Sequence, residues 1–98
     1  MDVRFEDDDL DRLELDEKFN ARLPEGIVRS FRKAMQYIRA ASDQRDLRLR
    51  PGWHFERYRA EPGCFSLKLN DQYRLIIGFD ESAPDRKTAV VFKITDYH

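Results

Sequence analysis

Arg74 and the last three residues, Asp96-Tyr97-His98, are of the types that phosphodiester chemistry uses. Cutting RNA without a metal requires the 2′-hydroxyl to attack the adjacent phosphorus in line. A base must remove the hydroxyl proton, an acid must protonate the departing 5′-oxygen, and cations must stabilise the charge gathering on the phosphate. A guanidinium presents a planar fork that suits two phosphate oxygens at once. Imidazole titrates near ~6.5, so His98 is the natural proton donor or acceptor at neutral pH. The carboxylate at the end of the chain sits on the same residue and favours the protonated ring. Tyr97 suits stacking on an unpaired base or orienting a hydroxyl. Spacing alone also allows an Arg74 that pairs with Asp96 or faces solvent, and a terminal Tyr-His with no role.

These residues need elements to hold them. Tyr73, Leu75, Ile77 and Phe79 alternate, which predicts a strand with Arg74 on the face opposite the apolar set. Residues 65–69 alternate as well, and Asn70-Asp71 between the two runs predicts a two-residue hairpin turn. A final strand is expected over residues 88–96 with Val90, Phe92 and Ile94 on its buried side, after a surface loop over residues 80–87. Upstream, residues 3–5 suit a short strand. Leu10, Leu13 and Phe19 have roughly helical spacing behind the acids Asp7, Asp8 and Asp9. A second helix is expected from Pro24 to about residue 41, with Ile27, Phe31, Ala34 or Met35, and Ile38 as its apolar stripe. Helices first and then a meander predict an α+β domain: N-terminal helices packed on a 3–4-stranded antiparallel sheet.

The chain has 98 residues, which suits one domain over residues 1–98. Its 41% hydrophobic content exceeds that of disordered chains. The single cysteine, Cys64, has no internal partner, as expected of a reducing compartment. Two histidines and one cysteine offer no zinc site, and no metal or cofactor is expected. No apolar run reaches membrane-spanning length, and residues 1–6 lack the basic and apolar parts of a signal peptide. No membrane association and a cytoplasmic location are therefore expected. The net charge of −1 hides an asymmetry: residues 1–17 carry nine acids against Arg4 and Arg12, while residues 18–98 carry an excess of cations. This acidic opening is expected either to fold over the basic body or to face a basic partner. Arg45, Arg48, Arg50, Arg57 and Arg59 alternate with Trp53, Phe55 and Tyr58, a composition that suits single-stranded nucleic acid. Core positions for Phe55 and Tyr58 with solvated arginines are the competing reading, favoured for the aromatics, and His54 reads as a partly exposed loop residue.

In order along the chain, Asp46-Leu47, Pro51-Gly52, the run from Gly63-Cys64-Phe65-Ser66 through Asn70-Asp71-Gln72-Tyr73-Arg74, and the closing Asp96-Tyr97-His98 resemble the HigB group of RelE-superfamily toxins. The resemblance covers residues 45–98 well and the upstream part loosely. It implies a RelE-like fold and the toxin half of a toxin–antitoxin pair. It also implies ribosome-dependent cleavage of messenger RNA, with no cofactor. The implied partner is a HigA-like helix-turn-helix antitoxin, through which alone the toxin would meet operator DNA. Carried over by position, Arg74 matches the phosphate-contacting arginine and Asp96, Tyr97 and His98 match the catalytic triplet. Arg57, Arg59, Lys68, Arg48 and Arg50 are the candidate RNA-binding cations. Glu56 stands where many members have a histidine or glutamate, and His54 inherits no role. The family's basic N-terminal run is here Glu6-Asp7-Asp8-Asp9. The alternative is a toxin of the same fold, or a binding module, that acts on a protein target as the ParE branch does.

Overall fold

The computed structural model describes residues 1–83 and 86–96. Strand β1 (Asp2–Phe5) is followed by helices α1 (Asp8–Leu15) and α2 (Glu25–Ala40). A one-turn helix α3 (Gln44–Leu47) and a 3-10 turn (Pro51–Trp53) lead to β2 (Glu56–Arg57), β3 (Phe65–Lys68), β4 (Tyr73–Ala83) and β5 (Arg86–Asp96). The five strands form one sheet in the order β1-β5-β4-β3-β2. The α+β class is as expected from the sequence, with two differences. The sheet is mixed, because β1 pairs in parallel with β5, and α3 lies between α2 and the sheet strands rather than at the N-terminus. Pairing of the first strand with the last is non-local, and alternation along either strand carries no trace of it.

Both long helices follow their apolar spacing. Asp7 caps α1 by accepting from the Asp9 amide. Pro24 precedes the first turn of α2, where a missing N–H removes no helical bond. Ile27, Phe31, Ala34, Met35 and Ile38 of α2 are buried against Leu67, Leu75, Ile77, Ala89 and Val91 of the sheet. Arg32 lies beside this stripe and is half-buried. Its guanidinium donates to the carbonyls of Leu13 (3.0 Å), Asp16 (2.9 Å) and Phe19 (3.3 Å), tying the end of α1 and the turn after it to α2. Phe19 is thus past the helix and not on it.

Three details of the strands differ from the alternation pattern. The hairpin between β3 and β4 turns over three residues, Asn70, Asp71 and Gln72. The Asn70 side-chain oxygen accepts from the amides of Gln72 (2.8 Å) and Tyr73 (2.7 Å), a role that draws a third residue into the turn. In place of a loop over residues 80–87, β4 runs to Ala83 and β5 begins at Arg86, with those two residues paired. This polar tip has no core to face and so shows no apolar alternation. In β5, Ile77 pairs with Val91 and Ile76 with Lys93, leaving Phe92 as an extra residue. The bulge flips the phase of the strand. Ala89 and Val91 face the helices, Lys93 is turned to the other face, and Ile94 returns to the core opposite Leu75. Val90 is buried on the face away from the helices, where the Phe92 ring lies over Gly78. A Cβ at Gly78 would stand 2.9 Å from Phe92 Cε2, too close for any side chain without displacement of the ring.

The acidic opening is built into the fold. Residues 2–5 are a sheet strand, Glu14 accepts two bonds from Arg39 (2.8 and 2.6 Å), and Asp16 lies 3.6 Å from Arg12. Arg4 reaches across β5 from the edge strand to Asp80 of β4 at 2.8 Å. That hydrogen bond, with a second from the Ser82 amide, holds the Asp80 carboxyl well below the usual carboxylate range.

Removing the three-carbonyl clamp with Arg32→Ala is expected to lower stability by about 1–3 kcal/mol, read by urea unfolding; an unchanged midpoint would refute the clamp. A lowered native pKa at Asp80 stabilises the fold fully above the ordinary carboxylate value of ~3.9. The stabilisation is lost as pH falls from there through the native value. Thermal midpoints measured from pH 6 to pH 2 should therefore fall less steeply for Asp80→Asn than for the wild type.

Candidate functional site

The helices cover one face of the sheet, and the loop of residues 58–64 covers part of the other. That loop is closed by the Tyr58 amide donating to the Cys64 carbonyl (2.9 Å), and the Gly63 carbonyl comes 3.6 Å from a Cβ position at Gly78. Lys93 donates to Glu61 at 2.7 Å, and its ammonium lies 5.7 Å from the Tyr58 ring centre. Burial, then the nearby Glu61 carboxylate, pushes the Cys64 thiol above its ordinary pKa, which disfavours a nucleophilic thiolate there. The outer face is least covered toward the Asn70 turn.

At that end stands Arg74. It pairs across the sheet with Lys68 of β3 and Thr95 of β5, so all three project from the face opposite Leu75 and Ile77. The Arg74 side chain is largely sheltered, with 15% of its surface exposed. Nη1 lies 3.4 Å from Glu56 Oε1 and 3.5 Å from the His54 carbonyl oxygen. His54 offers that carbonyl from a left-handed backbone (φ 45°, ψ 54°), an uncommon conformation for a residue with a Cβ. The 3-10 turn that ends there follows from Pro51-Gly52, and its strained last residue helps to aim the chain at Arg74. Lys68 lies 3.1 Å from the exposed Asp71.

Asp96 is the register partner of Tyr73 and accepts from the Gln72 amide group at 3.0 Å. The Asn70 turn therefore places Gln72 on Asp96, one residue before the fork of Arg74 is presented. Tyr97 and His98 lie outside the described residues. The five candidate RNA-binding cations are not gathered in one place. Lys68 adjoins Arg74. Arg48 lies over the Phe55 ring at 5.6 Å and Arg50 over the Tyr37 ring at 5.2 Å, both on the side of the 3-10 turn. Arg57 pairs with Phe65 and so projects from the helix-side face at the sheet edge, and Arg59 is exposed in the following loop. Of the interleaved aromatics, Phe55 stacks on Phe65 (5.0 Å) and meets Phe79 edge-on, packed against the core, while Trp53 stacks on Tyr37 (5.9 Å).

Glu56 is the residue that sequence reasoning undervalued. It precedes Arg57 on a two-residue edge strand whose alternation is too short to show a face. Pairing with Ser66, on the same face as Arg74, decides its side. The result is a carboxylate 3.4 Å from a guanidinium, with Lys68 as the cross-strand neighbour of that arginine, on a sheet face that helices do not cover.

Among the described residues, no helix is long and apolar enough to cross a membrane. A family model described as the RelE-like toxin of the type II toxin–antitoxin system HigB matches residues 3–98. Toxin HigB-1 of Vibrio cholerae serotype O1 (strain ATCC 39315 / El Tor Inaba N16961) is 32% identical over 77 residues, covering 78% of this chain and 81% of that toxin. With the α+β sheet, the Arg74 face and a match over nearly the whole length, the chain belongs to the HigB-like family of RelE-like toxins of type II toxin–antitoxin systems.

Proposed function

We propose that this toxin is an endoribonuclease that cuts messenger RNA on the ribosome by metal-independent attack of the 2′-hydroxyl. The observation that carries the reading is the approach of Arg74 to Glu56 beside Lys68, on the sheet face left open by the helices. A phosphate entering there meets the Arg74 fork and the Lys68 ammonium, which stabilise the charge of the pentavalent transition state. Glu56 is the carboxylate in reach to take the 2′-hydroxyl proton. His98 is the acid that returns a proton to the departing 5′-oxygen, leaving a 2′,3′-cyclic phosphate. Tyr97 stacks on or orients the neighbouring nucleotide, and Asp96, held by Gln72, fixes the start of that segment. Arg48, Arg50, Arg57 and Arg59 supply longer-range attraction for the polyanion.

Membership of the family implies a cognate antitoxin as partner. We take it to be a HigA-like helix-turn-helix protein that brings the toxin to operator DNA. The site of action is then the cytoplasm, with no part for a membrane.

Mapping of RNA 5′ ends after brief induction in bacteria tests the reading. New in-frame cuts within translated messages are expected for the wild type, lost in Arg74→Ala and in a chain truncated after Asp96. Growth arrest without new cuts, unaffected by the truncation, would overturn the nuclease reading in favour of a protein target. In single-turnover cleavage on programmed ribosomes, Glu56→Gln is expected to slow the chemical step by about 10²–10⁴-fold, with ribosome binding little changed. A rate within a few-fold of wild type would remove Glu56 as the base.

A further inference from the structure

Beside the Arg74 face, the 3-10 turn and helix α2 bound a groove that the proposed cleavage chemistry touches only at Lys68. Two adjoining hollows of roughly 400 Å³ and 410 Å³ share Arg50 and Trp53 in their walls. Lys33 of α2 closes one end, and Lys68 and Asn70 of the β3–β4 hairpin close the other. The described residues lining the two hollows include three cations and no carboxylate. Trp53 lies nearly parallel to Tyr37, at an interplanar angle of 13°, and keeps part of its surface open to the groove. Arg50 sits over the other member of that stack, at 5.2 Å from the Tyr37 ring centre. Lys68 joins the groove to the site, since it lines one hollow and is the cross-strand partner of Arg74.

We propose that this groove holds the single-stranded RNA flanking the phosphate bound at Arg74, with a base stacked at Trp53 and backbone phosphates bridged by Arg50, Lys68 and Lys33. Arg50 and Lys33 on the walls, with Lys68 beside the exposed Asp71 at the hairpin end, attract a polyanion, and a partly open indole takes any base because every base has a π-face. The stack on Tyr37 holds the indole in place before the RNA arrives, so little side-chain freedom is lost on binding. The groove is open along its length, which suits a strand passing through and not a small molecule enclosed. The identity of the substrate rests on the nuclease reading; the occupancy of the groove by RNA is separable from it.

Trp53 is the chain's one tryptophan, so intrinsic fluorescence reports on this groove alone. The probe is 5′-fluorescein hexaadenylate carrying 2′-O-methyl groups throughout, which leaves no hydroxyl to attack. Titrated into the full chain at low salt, it should quench Trp53 as its anisotropy rises. Arg50→Glu should weaken binding by about tenfold or more, and Arg50→Lys should recover most of it. Arg50 is exposed, and an unchanged thermal midpoint confirms that the variant is folded. Arg74→Ala should abolish cellular cuts while the Trp53 quench persists. Anisotropy rising without any quench, no binding at all, or an Arg50→Glu affinity equal to wild type would overturn the groove. Equal quenching by hexaglutamate would also overturn it, assigning the groove to an acidic protein segment. Absent cuts in cells with an intact, Arg50-dependent quench would instead fault the nuclease reading and leave the groove standing.

Discussion

The register of β4 is the constraint on which the rest depends. This central strand is apolar on both sides, with Leu75 and Ile77 toward the helices and Ile76 and Gly78 toward the outer face. Side chains alternate strictly along a strand, so a slip of one residue would drive the Arg74 guanidinium into the core and put Leu75 where a phosphate is to be met. The penalty for burying an unpaired guanidinium makes that alternative inaccessible. Packing of α2 through Phe31, Met35 and Ile38 thus does more than stabilise the domain. It fixes which face of the sheet is polar, and so where chemistry is possible.

Charge is arranged by the same logic. A net charge of −1 is unusual for a protein with the polyanionic substrate proposed, yet nine of the acids are concentrated in residues 1–17, where Arg4 lies 3.6 Å from Glu6, Arg12 pairs with Asp16 and Arg39 with Glu14. The cations left for a nucleic acid flank the Asn70 turn and the 3-10 turn. Local sign, and not the whole-chain sum, governs contacts at distances below the ~10 Å screening length at 0.1 M salt. Glu56 neighbours Arg74 in the free protein, and in the proposed function a phosphate would exchange one anionic neighbour for another.

Much of this was legible from residues. The α2 stripe is long and strongly periodic, so its span and its buried set were readable from spacing. The β3–β4 hairpin was readable from alternation on both sides of Asn70, and it carried the placement of Arg74 with it. Features set by pairing between distant segments were not readable. The parallel β1–β5 contact, the phase flip at Phe92 and the side taken by Glu56 depend on partners up to 86 residues away in the chain, and no local pattern encodes them. Composition also misled at the β4–β5 tip, where polar residues form strands because the backbone ladder needs no apolar face to continue.

The extra residue at Phe92 has a further meaning for how such chains change over time. It acts as a phase shifter: everything after it takes the opposite side from the one the preceding residues would dictate. Loss of a single codon there would remove the bulge while leaving Lys93, Ile94, Thr95 and Asp96 opposite their present partners, and so on their present faces. Relatives of this toxin should therefore be aligned with gaps permitted at this position, since a residue gained or lost here is absorbed by the bulge and leaves both faces as they were.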